Sequence, residues 1–70
     1  MQVGDLVKHN GLDGWYNMEG KIGVLKELLK MPDPRCGRWI VHWCDPNTPR
    51  YYQWEAYFPE HLEALWKSEI

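Results

Sequence analysis

The chain has little of the charge and chemistry that define several common functional classes. Its 70 residues carry 8 Lys and Arg against 10 Asp and Glu. The net charge is therefore −2, and the basic excess typical of proteins that neutralise nucleic-acid phosphates is missing. Serine occurs only once, as Ser68 near the end of the chain, which argues against a serine triad.

Cysteine is also scarce, and the two that occur are poorly placed for a disulfide. Along a single strand, Cys36 and Cys44 would lie about 26 Å apart, at roughly 3.3 Å per residue. A disulfide requires Cα atoms within about 7 Å of each other. We therefore expect two free thiols, which suits a reducing compartment.

Long hydrophobic runs are absent from the sequence. No stretch approaches the roughly 20 apolar residues of a membrane helix. The segment MQVGDLVKHNG has neither the basic start nor the apolar core of a signal peptide. These absences predict a cytoplasmic protein without a membrane partner. The length predicts one domain spanning residues 1–70.

Aromatic residues, by contrast, are abundant. The chain has five Trp, four Tyr and one Phe, and each such ring can bury roughly 150–250 Å². A small barrel has interior space for only a few large side chains. The remaining rings either cover the open ends of the domain or line a face that binds a partner. The candidates for partner binding are Trp15, Tyr16, Trp39, Tyr51, Tyr52 and Trp54.

Short β-type segments separated by Gly and Pro predict an all-β antiparallel domain of four to five strands. Strands are predicted over residues 3–10, 21–30, 37–44 and 50–56, with 37–56 forming a hairpin and 11–20 a loop. A helix over 21–30 remains an alternative. Pro59 is placed to begin a short helical turn, and 62–67 is either one more turn or a closing strand.

The segment GRWIVHWC has the clearest strand pattern, with β-branched and aromatic residues in alternation. Alternation places Trp39, Val41 and Trp43 on one face and Ile40, His42 and Cys44 on the other. We expect Val41 and Trp43 in the core, together with Val3, Val7, Ile22, Val24 and Leu62.

Four segments follow a recurrent order: GDLVK at 4–8, GKIGV at 20–24, WIVHW at 39–43 and YFPEHLEAL at 57–65. In that order they resemble the small SH3-like barrel proteins encoded by tailed bacteriophages, which are mostly of unknown function. The resemblance implies an SH3-like barrel with one short helical turn near the C-terminus. Related barrels serve as ribosomal and transcription-factor modules, chromatin readers and peptide binders. The chain departs from the family pattern at DGWYN and MPDPRCG, where such folds carry ligand-contacting loops.

Metal binding and catalysis have little support. Cys36, His42 and Cys44, with His9 and His61, lack the close Cys pair of a zinc site, so we expect no metal. Residues 11–20 lack phosphate-loop spacing, so we expect no cofactor. Activation of Cys44 by His42 or His61 is conceivable, but a buried Cys acting as a small hydrophobe is commoner.

The favoured interpretation is a non-enzymatic module that binds a host or viral protein through its aromatic-lined loops. One alternative is nucleic-acid binding by Lys21, Lys26, Lys30, Arg35 and Arg38, helped by base stacking on the aromatic rings. Another is a virion structural or decoration protein that associates through exposed strand edges. We expect Glu55, Glu60, Glu63 and Glu69 to form a solvated face.

Overall fold

The computed structural model describes residues 1–13 and 16–67, with backbone only for residues 12, 13 and 16. This part of the chain is all-β and contains no α-helix. Its strands are β1 (Leu6–His9), β2 (Leu12–Asp13), β3 (Tyr16–Asn17), β4 (Ile22–Leu28), β5 (Trp39–Trp43), β6 (Ala56–Tyr57) and β7 (Leu62–Trp66). Two turns of 3₁₀ helix, Arg50–Gln53 and Pro59–His61, precede β6 and β7 respectively.

Five of the strands form one antiparallel sheet in the order β6-β5-β4-β1-β7. β2 and β3 pair only with each other, so the segment predicted as a loop over 11–20 contains a short hairpin. Within the described residues, β6 and β7 end the sheet at opposite edges, and it does not close into a barrel. The predicted all-β antiparallel class is confirmed, and the main sheet has five strands, with β2 and β3 as an additional short pair.

β5 follows the predicted alternation. Trp39, Val41 and Trp43 are buried, whereas His42 is exposed and Ile40 is half-buried. The buried side chains join a core cluster of Val7, Met18, Leu25, Trp39, Val41, Trp43, Tyr57 and Leu62. The predicted core positions Val7, Val41, Trp43 and Leu62 are thus confirmed.

The predicted orientation of β4 is wrong. Ile22 is 41% exposed and Val24 is half-buried, while Gly23 and Leu25 are buried. The strand register explains this, because Gly23 lies opposite Val7 on one side and Trp43 on the other. Val3 is 54% exposed and precedes β1, so it is not a core residue either.

The polar groups of Trp43 and Tyr57 in the core are hydrogen-bonded. The Trp43 indole N–H donates to the Tyr57 hydroxyl at 3.3 Å, and that hydroxyl donates to the Tyr52 carbonyl at 3.1 Å. His9 is also buried, in ring contact with Trp43 and Tyr57, and its Nδ1 accepts the Gly11 N–H at 3.0 Å. The Trp43–Tyr57–Tyr52 chain of hydrogen bonds thus satisfies the donors of two large rings that fill the small core.

The C-terminal third corrects one prediction and settles another. Residues 50–56 are not a strand, because 50–53 form a 3₁₀ turn and only Ala56–Tyr57 pair with β5. The turn predicted at Pro59 is confirmed, and Leu62–Trp66 is a strand rather than a continuing helix. The helix alternative for residues 21–30 is likewise wrong, since Ile22–Leu28 is β4.

Candidate binding groove

A groove of about 900 Å³ crosses the outward face of the sheet at β4 and β5. Its floor includes Ile40, His42 and Cys44, which alternate with the buried residues of β5 and therefore point away from the core. The connection between β4 and β5 contributes one part of the lining and the connection between β5 and β6 another. The groove therefore lies on the face that the core leaves free.

A β-bulge shapes the floor of the groove. Leu25 pairs with Val41 and Glu27 pairs with Ile40. Lys26 is therefore an extra residue in β4, with no residue opposite it in β5. Bulges bend a strand locally and re-aim side chains. Lys26 is exposed and lines the groove together with the apolar Ile40.

The segment that carries Trp54 is fastened to β5 by one side chain. The Gln53 Oε1 accepts the Trp43 N–H at 2.9 Å, and its Nε2 donates to the Trp43 carbonyl at 3.3 Å. Gln53 thus takes the place of a neighbouring strand at the end of β5. The next residue, Trp54, lines the groove with 69% of its surface exposed.

Replacing Gln53 by Ala should loosen this segment. Loss of both hydrogen bonds leaves the Trp43 amide without its partner, which costs about 1–3 kcal/mol for a buried donor. Hydrogen exchange at the Trp43 amide should quicken, as followed by NMR. Gln53→Glu keeps the acceptor but not the donor and should give an intermediate rate. An unchanged rate in Gln53→Ala would show that Gln53 does not hold the segment.

Two ion pairs lie at the rims of the groove. The Lys21 ammonium contacts the Asp45 carboxylate, and Arg35 contacts Asp33 at 3.3 Å. The hydrogen bond from Lys21, helped by the Asn47 N–H, lowers the pKa of Asp45 below its usual value. The Arg35 guanidinium and its backbone N–H likewise lower the pKa of Asp33, and Asp33 raises the pKa of Arg35. Both carboxyls therefore remain ionised at neutral pH.

The Lys21–Asp45 pair predicts a stability difference that depends on pH. Because the pKa of Asp45 is lowered by folding, its contribution is present above the unfolded pKa of about 3.9 and is lost as the pH falls through the folded value. Urea unfolding of the wild type and of Lys21→Gln should therefore differ at pH 6 and converge at low pH. A difference that persists in acid would assign the effect to packing of the Lys21 chain.

The aromatic candidates divide into buried and exposed rings. Trp39 is only 5% exposed, so its prediction as a partner-binding residue is wrong: it lies on the inward face of β5 and joins the core. Tyr52 is half-buried and packs against the core, with Tyr51 meeting its ring edge-on. Tyr51 and Trp54 are 67% and 69% exposed. Trp15 and the side chain of Tyr16 lie outside the described residues.

The five basic candidates do not gather into one patch. Lys26 and Arg35 line the groove, but Arg35 is paired with Asp33. Lys21 contacts Asp45, and the Arg38 guanidinium lies 4.0 Å above the centre of the Phe58 ring. Lys30 is exposed and is not part of the groove lining. A continuous basic stripe is therefore not formed by these five residues.

The cysteines are free thiols, as predicted, but both are exposed, so the expectation of a buried Cys44 is wrong. The alternation of β5 explains the exposure of Cys44, because His42 and Cys44 both lie on the solvent-facing side. Glu60 and Glu63 are exposed as predicted, Glu55 is half-buried, and Glu69 lies outside the described residues. Within the described chain no three His, Cys, Asp or Glu side chains cluster as metal ligands would.

Arg50 and Gln53 are among the groove residues that the sequence did not predict. Arg50, exposed on the lining, and Gln53 both fell within the segment predicted as a strand. The signal that could have found them is Pro49, which stands immediately before the 3₁₀ turn much as Pro59 begins the second one.

Among the described residues no helix has the length and apolarity to cross a bilayer. In comparisons with protein-family models, curated proteins and solved structures, the chain matches none of them.

Proposed function

We propose that the protein is a non-enzymatic interaction module that binds an extended segment of a partner protein in the groove over β4 and β5. The observation that carries the proposal is Trp54, a large ring left 69% exposed on a segment that Gln53 fixes to the sheet. Trp is enriched among residues that dominate binding energy at protein interfaces. Because Gln53 holds this segment on the sheet, less backbone freedom is lost when a partner binds at Trp54.

We also infer an SH3-like arrangement of the strands, in a sheet that, within the described residues, stays open between β6 and β7. The opening Gly-Asp segment leads into β1, GKIGV into β4 and WIVHW forms β5, while the 3₁₀ turn at Pro59 precedes the last strand. This order supports the family resemblance. A phage-encoded protein acting in the host cytoplasm or in the virion, on a host or viral protein, is the proposal that follows from that resemblance.

Selection of binders from a random 12-residue peptide library displayed on phage tests the groove directly. Enriched peptides, made synthetically and labelled with a fluorophore, should bind the wild type and lose about tenfold or more in affinity against Trp54→Ala, as expected for an interface hot spot. Trp66→Ala is the matched control, because Trp66 is also exposed, at 56%, but lies on β7 outside the groove.

Three results would count against the peptide groove. One is a library that yields no binder, and another is a set of binders that tolerate Trp54→Ala but not Trp66→Ala. The third is tighter binding of an oligo(dT) 15-mer, with an affinity that falls steeply with salt, which would favour the nucleic-acid alternative.

A second candidate, self-association as a structural protein, is favoured by β7. This strand is an edge of the sheet, and its apolar Leu65 and Trp66 are 44% and 56% exposed. Its single acidic residue, Glu63, is paired with Lys8 at 3.4 Å. Exposed apolar edge strands are templates for pairing with another strand.

Light scattering during size-exclusion chromatography checks this second candidate. Self-association through β7 predicts a molar mass that rises with concentration in the wild type and stays at one chain in Leu65→Lys. Met31→Lys is the control, since Met31 is 79% exposed but lies away from the strand. A wild type that remains one chain at millimolar concentration would remove this candidate.

A further inference from the structure

The groove contains three carboxylates, and two of them already have cationic partners. Asp45 is held by Lys21 and Asp33 by Arg35. The charge of each of these carboxylates is offset by its own partner, so neither attracts a further cation strongly. The third, Glu27, lies within electrostatic range of Arg35.

Two cationic side chains of the groove lie outside these ion pairs. Lys26 and Arg50 are both exposed, and within the described chain neither forms an ion pair. Lys26 projects from the bulge in β4, and Arg50 begins the 3₁₀ turn that ends next to Trp54. The groove therefore combines an exposed indole with two cations that lie outside these ion pairs, against one carboxylate, Glu27, that also lies outside them.

We propose that the groove selects partner segments that carry an Asp or Glu side chain close to an apolar residue. The carboxylate is bound by Lys26 and Arg50, and the apolar residue packs on Trp54. This proposal rests on the proposed peptide-binding function and adds the chemistry of the partner. Arg supplies a planar fork that fits a carboxylate, and the flexible Lys stem adapts to it.

The carboxylates of the groove favour a peptide over a nucleic acid. A phosphate backbone brings one negative charge with every nucleotide, and it would pass Glu27, Asp33 and Asp45 as well as the cations. An extended peptide brings its negative charge at one point and leaves the rest of the segment neutral. Like charges placed opposite each other at an interface cost several kcal/mol, so the single charge fits better.

The test compares peptide selection on two proteins, the wild type and the charge-reversed double variant Lys26→Glu/Arg50→Glu. The same random 12-residue library serves both. Peptides enriched on the wild type should contain Asp or Glu near an aromatic, Leu or Pro residue. Peptides enriched on the double variant should contain Lys or Arg in that place. A synthetic wild-type binder should lose about tenfold or more in affinity for the double variant.

Lys30→Glu/Lys67→Glu is the matched control. Both lysines are exposed and lie outside the groove, and the variant changes the net charge by the same amount. It should retain the acidic preference and nearly the full affinity. Circular dichroism on both double variants confirms that the fold is retained; if the groove variant unfolds, the single variant Arg50→Gln replaces it, with a smaller expected loss.

The outcomes separate this inference from the function on which it depends. Binders that require Trp54 but show no acidic preference, or whose selection is unchanged by charge reversal, overturn the inference and leave the groove in place. Binders that ignore Trp54, or no binders at all, overturn both. If the control variant loses as much peptide affinity as the groove variant, the loss is due to the overall charge of the protein, and the inference is also overturned.

Discussion

Replacing Gly23 by Ala is expected to destabilise the protein strongly and to lower its melting temperature well below that of the wild type. A Cβ at this position would lie 2.5 Å from the Val41 Cγ1, 2.8 Å from the His42 carbonyl oxygen and 2.8 Å from Cε3 of Trp43. The carbonyl belongs to the neighbouring strand and the indole is buried, so neither can move aside cheaply. Overpacking of this kind costs about 1–3 kcal/mol or more. Domains of this size have roughly 4–10 kcal/mol in total, at about 0.05–0.15 kcal/mol per residue.

Gly11→Ala is the matched control for Gly23→Ala. A Cβ at Gly11 meets no atom within 4 Å, and its N–H remains free to donate to His9. Thermal unfolding followed by circular dichroism should show Gly11→Ala close to the wild type and Gly23→Ala far below it. Equal melting temperatures for the two variants would mean that β4 and β5 do not approach as closely as described.

The second large effect is expected from Trp39→Ala. This ring is 5% exposed and belongs to the core cluster, where truncation of a Trp typically costs about 3–5 kcal/mol. Such a loss is a large part of the stability of a small domain. The same substitution at Trp54, which is 69% exposed, should change the free energy of unfolding by no more than about 0.5 kcal/mol.

Urea unfolding monitored by the remaining tryptophans measures both variants under the same conditions. The contrast matters because Trp39 and Trp54 were proposed together as partner-binding residues. If Trp54→Ala is as unstable as Trp39→Ala, Trp54 is a core residue and the groove loses its main contact. If both variants are as stable as the wild type, the core does not depend on the Trp39 side chain of β5, contrary to what the structure indicates.

The sequence predicted β5 correctly and the phase of β4 incorrectly, for one physical reason. In β5 the inward residues are large and apolar, so alternation reveals them. In β4 one inward residue is Gly23, which is buried because the Trp43 ring occupies the space above it. A buried glycine leaves no hydrophobic signal, so Ile22 and Val24 took its place in the predicted core.

The segment 50–56 shows a different limit. Its aromatic residues favour a strand, and a hairpin with β5 follows from proximity in sequence. Instead, the Gln53 side chain forms hydrogen bonds with the backbone N–H and carbonyl of Trp43. The main chain of residues 50–55 therefore does not pair with β5, and pairing begins only at Ala56–Tyr57. A hydrogen bond of this kind, between residues distant in the chain, leaves no local pattern in the amino-acid sequence. It also explains why Arg50 and Trp54 line a groove rather than extending the sheet.

Only part of the candidate site was therefore accessible from sequence. Tyr51 and Trp54 are exposed as a binding role requires, and Lys26 and Arg35 line the groove. The sequence could not show which cations are engaged within the protein, because the partners of Lys21 and Arg38 depend on three-dimensional contacts with Asp45 and Phe58.

The central claim is that the partner lies in the groove over β4 and β5, and amide chemical-shift mapping tests it most directly. A library-selected peptide is titrated into the ¹⁵N-labelled protein. The account predicts that the largest shifts occur at Ile40, His42 and Cys44 and at the Trp54 indole, with β7 nearly unchanged. Shifts concentrated on Leu62–Trp66, with the groove amides unmoved, would contradict it.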